Sequence, residues 1–216
     1  MADINKIIPF ILYFEAGVSR KYLDLPNEQI FEKAKITGYA NDPVDVGGAT
    51  MCGVTLNTFK AYCRKNGFKD SSIKALRALK YPVWFDIIKT MFWDKWKADQ
   101  IRSQALANIL VDWVWSSGGY GITIPQRILG VSQDGIVGVK TIGALNGRDE
   151  KALFDEIFKA RMKYIDDIIN SSIRKYEKRI GRKTTLAEQK KYTNRKYENG
   201  WKRRLNCITF NGLKYE

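Results

Sequence analysis

The chain places an acidic residue at the end of an apolar segment and follows it with a glycine-rich loop. Glu15 closes the segment that begins at Ile4. The loop, residues 38–53, contains the carboxylates of Asp42 and Asp45, four glycines and the hydroxyl of Thr50. An acid on a rigid helix end that faces a second acid on a loop is the arrangement that glycosidic-bond hydrolysis requires.

That chemistry assigns a different task to each carboxyl group. One acid, kept protonated by apolar surroundings, donates a proton to the glycosidic oxygen, while a second carboxylate stabilises the anomeric carbon or activates water. Asp45 and Asp42 are the candidates for the second task, and Gly47, Gly48 and Gly53 allow the backbone to approach a sugar ring. A solvated glutamate at a helix end is the alternative, and the combination with the loop favours catalysis.

The composition excludes several classes of site. The 216 residues contain no histidine, which removes His-based triads and most transition-metal sites, so we expect no cofactor and no metal. The three cysteines are predicted to be reduced, with a Cys52–Cys63 disulfide as the alternative. The N-terminus does not resemble a signal peptide and no run reaches transmembrane length, which predicts accumulation in the cytoplasm.

The positive charge is concentrated near the C-terminus. Residues 172–204 carry thirteen Lys and Arg against three Glu, a net +10 of the total +14. Such a segment indicates a polyanionic partner, either nucleic acid, anionic lipid or the anionic cell wall, with a solvated charged face as the alternative. Because the segment resembles no nucleic-acid-binding motif, we expect no specific nucleic-acid partner.

The apolar periodicity predicts a mostly α fold. Helices are expected over residues 3–15, 105–115 and 149–169, after an N-cap at Thr55, and after Pro82 in a first turn. Only residues 38–55 predict β-structure, as a short hairpin. We expect a compact monomer with a helical C-terminal half, divided softly into residues 1–98 and 99–216.

The spacing of the loop residues carries a family resemblance. Two stretches resemble the signature of glycoside hydrolase family 108, roughly EGGYxNDPxDxGGxTxxGV; they are Glu15-Ala16-Gly17 and Asn41-Asp42-Pro43-Val44-Asp45-Val46-Gly47-Gly48-Ala49-Thr50-Met51-Cys52-Gly53-Val54. The family comprises phage and prophage muramidases. The resemblance implies a lysozyme-like fold, with Glu15 as general acid, Asp45 as second carboxylate and Thr50 positioning water.

The same resemblance implies that Tyr39, Asp42, Gly47 and Gly48 line the sugar site, although Asp42 is alternatively a cap of the turn at Pro43.

The chain departs from the family signature in one large respect. Residues 18–37 interrupt the motif and contain a predicted helix, Gln29–Lys35. Since longer surface loops cost little closure entropy, an excursion that returns to its start would leave Glu15 facing Asp45. Asp24 or Glu28 of this insert is an alternative contributor.

The second half resembles the predicted peptidoglycan-binding domain that follows this hydrolase module. Its pattern LQxxLGxxxDGxxGxxT is similar to residues 125–141, and its DxxxNxG stretch is similar to residues 112–118, with Ser116 in place of Asn. The terminal GWxxR motif is similar to residues 200–204. The resemblance implies that Trp201 stacks on a sugar and that Arg203 pairs with muropeptide carboxylates. Alternatively, Trp201 anchors the C-terminal tail to the core.

These features favour an endolysin-type muramidase that cleaves the β-1,4 bond between N-acetylmuramic acid and N-acetylglucosamine in peptidoglycan. It would reach the wall through a holin or lysis, and its basic segment would bind anionic wall or membrane surfaces. The alternatives are a non-catalytic wall-binding or secretion-accessory protein and, from the charge alone, a nucleic-acid-binding protein.

Overall fold

The computed structural model describes residues 1–41 and 48–216 and shows a mostly α protein. In these residues the chain forms eleven α-helices: α1 Ile8–Ala16, α2 Asn27–Thr37, α3 Leu56–Asn66, α4 Ile73–Arg77, α5 Tyr81–Ile88, α6 Gln104–Ser117, α7 Tyr120–Ile128, α8 Val139–Asn146, α9 Glu150–Ile180, α10 Leu186–Tyr192 and α11 Glu198–Asn206. The predicted fold class is confirmed.

Local signals set the ends of several helices. The side chain of Thr55 accepts a hydrogen bond from the Thr58 amide at 3.1 Å and begins α3, which ends at Gly67 in the left-handed conformation. Pro82 lies in the first turn of α5. Backbone amides in the first turn have no intrahelical acceptor, so the missing N–H of proline breaks no helical hydrogen bond. Both predictions made from these residues are confirmed.

The long helix α9 extends further than its apolar pattern predicted. The prediction ended at residue 169, whereas the helix continues to Ile180. The buried stripe Ile165, Ile169 and Ile173 keeps its four-residue spacing across the predicted end, so the inner face remains covered by neighbouring elements. The charged residues that follow lie on the outer face and do not terminate the helix.

The β-structure is more extensive than a single hairpin. Three short antiparallel strands, β1 Tyr39–Ala40, β2 Thr50–Met51 and β3 Val54–Thr55, form a sheet in that order. Cys52 and Gly53 join β2 to β3 with positive φ angles of 47° and 79°, the two-residue turn that matches the twist of a hairpin.

A second two-stranded sheet near the C-terminus was not predicted. It pairs β4 Ile208–Thr209 with β5 Gly212–Leu213. The expectation of β-structure at residues 38–55 alone is therefore wrong, because strands of two residues leave too short an alternating pattern to be recognised.

The insert that interrupts the motif closes on itself, as expected. Thr37 Oγ1 donates a hydrogen bond to the Ala16 carbonyl at 2.7 Å, so the two ends of the excursion meet. The insert is not a surface loop, however. Its helix α2 buries Ile30, Phe31 and Ala34 completely, and the Phe31 ring packs against Trp84 with centroids 5.3 Å apart.

One hydrophobic core runs through both halves of the chain. Four tryptophans are fully buried in it: Trp84, Trp93, Trp96 and Trp113. The three cysteines are buried and free, so the reduced state is confirmed and the alternative disulfide is wrong. In the part of the chain that the structure describes, no helix is long and apolar enough to cross a membrane. The division at residue 98 stays a prediction.

Candidate active site

Glu15 lies in the last turn of α1, close to the small three-stranded sheet. The helix ends at Gly17, whose φ of 64° reverses the chain and whose amide donates to the Tyr13 carbonyl. The Glu15 side chain is 24% exposed, so its carboxylate is shielded by protein but still accessible from outside. A rigid helix end therefore presents the candidate acid at a partly open position.

The turn of the glycine-rich region packs directly against this side chain. A Cβ atom on Gly53 would lie 2.7 Å from Glu15 Cγ and 2.6 Å from Trp115 Cζ2, distances that no side chain tolerates. Only glycine fits here, because the position also requires a φ of 79°. The structure thus brings the glutamate and the end of the loop together across the insert.

The surroundings of the Glu15 carboxylate are polar rather than apolar. Trp115 Nε1 donates a hydrogen bond to Glu15 Oε1 at 2.8 Å, and the Arg204 guanidinium forms an ion pair with the same oxygen. The Trp115 ring is itself held by Phe92, with centroids 4.5 Å apart. The expected apolar pocket is replaced by two donors that fix the carboxylate.

Arg204 continues into a buried network of charges. Its Nη2 and Nε donate to Asp112 Oδ1 at 2.7 and 3.0 Å. The other oxygen of Asp112 accepts from Arg161 Nη2 at 2.7 Å. Arg161 also donates to Ser116 Oγ at 3.1 Å and to the Ile109 carbonyl at 3.3 Å. Four helices, α1, α11, α6 and α9, therefore contribute alternating negative and positive charges.

These groups stay charged because they are paired. Asp112 is fully buried, and burial disfavours its carboxylate; attraction to Arg204 and Arg161 outweighs that cost and holds its pKa below the usual range. Burial likewise opposes the charge of Arg204, but Asp112 and Glu15 raise the pKa of Arg204 above its ordinary value. Burial lowers the pKa of Arg161, and Asp112 counteracts that effect only in part.

Three of the predicted site residues, Asp42, Asp45 and Gly47, lie outside the described residues. The remaining predicted residues of the loop lie in the three-stranded sheet or next to it. Thr50 is half-buried in β2, opposite Ala40 and Thr55. Gly48 has a φ of 65° and open space beside it.

Tyr39 lies in β1 with the Arg77 guanidinium 4.4 Å from its ring centroid, so its ring faces a cation. In the insert, Asp24 and Glu28 are both exposed. The geometry of the described residues assigns neither acid to the candidate site.

The two predicted residues of the GWxxR motif lie on different sides of α11. Arg203 is exposed, donates to Tyr13 Oη at 3.1 Å and lines a groove of about 430 Å³ beside the end of α1. Trp201 stacks on Tyr197, with centroids 5.4 Å apart, and lines a cavity of about 60 Å³ with Arg161. A cavity of that size holds roughly two water molecules.

Four residues of the site were not predicted as functional, and three of them carried a signal. Arg204, and not Arg203, is the arginine of GWxxR, and Asp112 opens the DxxxNxG stretch. Arg161 interrupts the apolar stripe between Ile157 and Ile165 at four-residue spacing, which is unusual for an unpaired arginine. The fourth, Trp115, lies on an apolar helix and carried no such signal.

Within residues 1–41 and 48–216, no three His, Cys, Asp or Glu side chains are grouped as the ligands of a metal ion would be.

The fold and the site together define a lysozyme-like helical protein, with an acid at a helix end beneath a small antiparallel sheet. Residues 34–118 match the family model of glycosyl hydrolase 108, and residues 120–206 match that of a predicted peptidoglycan domain. The chain therefore contains a region similar to glycosyl hydrolase 108, followed by a region similar to a predicted peptidoglycan domain. It is a glycosidase that acts on peptidoglycan, and Glu15 lies before the matched range.

A solved structure supports the fold. The structure of Brucella abortus SagA is 24% identical, covers 79% of this chain and 82% of its own, and superimposes with a TM-score of 0.59. No curated protein matches the chain.

Proposed function

We propose that the protein is an endolysin-type N-acetylmuramidase that hydrolyses the β-1,4 bond between N-acetylmuramic acid and N-acetylglucosamine. The observation that carries this proposal is the packing of Gly53 against Glu15, which joins the acid to the glycine-rich region in a chain with a region similar to family 108. The peptidoglycan domain that follows supports the polymer as substrate.

In the proposed reaction, Glu15 donates its proton to the glycosidic oxygen as the bond from that oxygen to the anomeric carbon of muramic acid breaks. Asp45 provides the second carboxylate, which stabilises the positive charge at the anomeric carbon or activates water. Thr50 positions the water, and Tyr39 and Asp42 contact the sugar.

The endolysin role includes a route to the wall and a means of staying there. We propose that the protein acts as a monomer, accumulates in the cytoplasm and is released by a holin or lysis. Four exposed cations in the C-terminal half of α9 would bind its anionic partner. We call them the basic face: Arg174, Lys175, Lys178 and Arg179. None of the ion pairs in the described part of the chain involves them.

The proposal is tested by digestion of purified sacculi with the wild type and with Glu15→Gln, followed by borohydride reduction and mass spectrometry. We expect disaccharide muropeptides ending in reduced muramic acid from the wild type only, with circular dichroism showing that the variant is folded. The variant keeps the shape of the side chain and removes its acid function together with the negative charge that pairs with Arg204.

Four other results would contradict the proposal, each in a different way. Products ending in reduced glucosamine would identify a glucosaminidase, and 1,6-anhydro ends would identify a lytic transglycosylase. Intact sacculi that retain both proteins equally would identify a wall-binding protein without catalytic activity. Equal digestion by a folded Glu15→Gln would remove Glu15 from the mechanism.

A further inference from the structure

Arg204, the ion-pair partner of Glu15, lies in the second of the two matched regions of the chain. Arg204 lies within the range of the peptidoglycan domain, whereas Asp112 lies within that of the hydrolase. We propose that Arg204 is a positioning residue for the proposed acid Glu15, and that the peptidoglycan domain thereby completes the active site. This inference rests on the proposed muramidase function.

The geometry fixes Arg204 independently of Glu15. Its Nε and Nη2 are engaged by Asp112, at 3.0 and 2.7 Å, and only Nη1 is directed to Glu15. A bidentate contact of this kind restricts a guanidinium to one orientation. The side chain is 12% exposed. Its guanidinium carbon lies 5.6 Å from the ring centroid of Phe10 and 5.4 Å from that of Phe14. Arg204 therefore stays in place whether or not Glu15 carries a proton.

The charge of Arg204 is only partly neutralised by Asp112. Arg161 shares the same carboxylate, through a contact of 2.7 Å, and is itself buried. Two guanidiniums and one carboxylate carry a net positive charge, which Glu15 balances when it is ionised. A role limited to holding the helices together does not require this surplus charge to face the candidate acid.

The surplus charge has a defined effect on the proposed proton transfer. When Glu15 gives its proton to the glycosidic oxygen and the bond to the anomeric carbon breaks, it becomes a carboxylate. A preorganised positive charge stabilises the negative charge that develops there.

Among the described residues that contact Glu15, Trp115 on α6 and Gly53 in the β2–β3 turn are uncharged, and Asp112 acts through Arg204.

The test compares Arg204→Gln, which removes the charge, with Arg204→Lys, which keeps the charge and loses the planar guanidinium that donates to two carboxylates at once. Arg102→Gln, an exposed arginine outside the site, is the control for loss of one positive charge. For each protein, kcat and KM are measured from pH 4 to pH 9 on soluble glycan strands stripped of peptide stems. Thermal unfolding is measured in parallel.

For Arg204→Gln we expect the plateau of kcat to fall on the order of 10²-fold, with KM little changed. The unchanged KM would separate a loss of transition-state stabilisation from a loss of substrate binding. Arg204→Lys should recover part of kcat. A role in packing alone would lower the unfolding temperature and leave the kcat of the folded protein unchanged.

A folded Arg204→Gln with the wild-type kcat would overturn the inference while leaving the muramidase proposal intact. If that variant does not fold, Arg204→Lys decides: a kcat at least tenfold lower at unchanged KM supports the inference, and a smaller loss overturns it. Absence of wild-type digestion would instead refute the proposed function on which the inference rests.

Discussion

Arginines serve opposite purposes in two regions of this protein. In the buried charge network, Arg161 and Arg204 are 4% and 12% exposed and each contacts Asp112. On the basic face, Arg174 and Arg179 are exposed and lie among lysines. The first pair is fixed by partners from distant parts of the chain, and the second pair is fixed only by the helix that carries it.

This difference separates charges that depend on one another from charges that do not. Inside the protein, removal of one partner leaves the others without compensation in a low dielectric, and the cost is large. At the surface, water and salt screen each charge, so single exposed pairs contribute little. The network should therefore respond as a unit and the basic face as a sum of weak, salt-dependent contributions.

The largest effect is expected at the centre of the network. Asp112→Asn removes the charge that two buried guanidiniums share, and should reduce the free energy of unfolding by roughly 3–5 kcal/mol. Asp155→Asn, which breaks the exposed Lys151–Asp155 pair at 2.5 Å, is the matched control and should cost less than about 1 kcal/mol. Chemical denaturation at pH 7 measures both, and equal losses would break the comparison.

Acidification of the wild type should reproduce part of that loss. Because the folded pKa of Asp112 lies below its unfolded value of about 3.9, its stabilisation is present above about pH 4 and is lost as the pH falls through the folded value. The difference in unfolding free energy between the wild type and Asp112→Asn should therefore shrink below pH 4, at low and high salt alike.

Half-buried Glu188 provides the contrast for this pH dependence. Hydrogen bonds from Arg182 and from the Thr185 amide lower its pKa to about 2. The small stabilising effect of Glu188 over Glu188→Gln should be lost between about pH 4.5 and pH 2, and 1 M salt should weaken it. A difference for Asp112 that is constant with pH, or sensitive to salt, would contradict the assignment of its charge.

The smallest effect on stability is expected at the basic face. Replacing its four cations by glutamine should change the unfolding free energy by no more than about 0.5 kcal/mol per substitution, since none forms an ion pair in the described residues. Retention on anionic sacculi should fall and lose most of its salt dependence.

The matched control for the basic face is the glutamine variant of four exposed lysines elsewhere, Lys60, Lys65, Lys69 and Lys74. Co-sedimentation with sacculi over a salt series compares the two variants. Equal retention would show that only net charge matters and that the basic face is a solvated surface.

The sequence predicted what local patterns determine. Capping at Thr55, the first-turn Pro82 and the apolar stripes located most helices, and the candidate acid was found from its position at a helix end. Those signals lie within a few residues of the element that they define. The end of α9 was missed because charged residues on its outer face obscured the inner stripe.

The network was not predictable in the same way. Arg204 contacts Asp112 and Glu15 across 92 and 189 residues of chain, and such separations leave no local pattern. The motif drew attention to both arginines of α11, but adjacent residues project about 100° apart on a helix. Packing of α11 decides which one enters the core, so Arg203 was selected where Arg204 is buried.

The hydrogen bond between Thr37 and Ala16 has a consequence for how relatives of this protein are recognised. It makes residues 17–36 a detour whose two ends touch, so that a gap along the chain is not a gap in space. A comparison that treats the motif as one uninterrupted string begins near the far end of the detour, as the match from residue 34 does, and excludes the glutamate. Homologues with such a helix would be classed as inactive although their acid occupies the same place beneath the sheet.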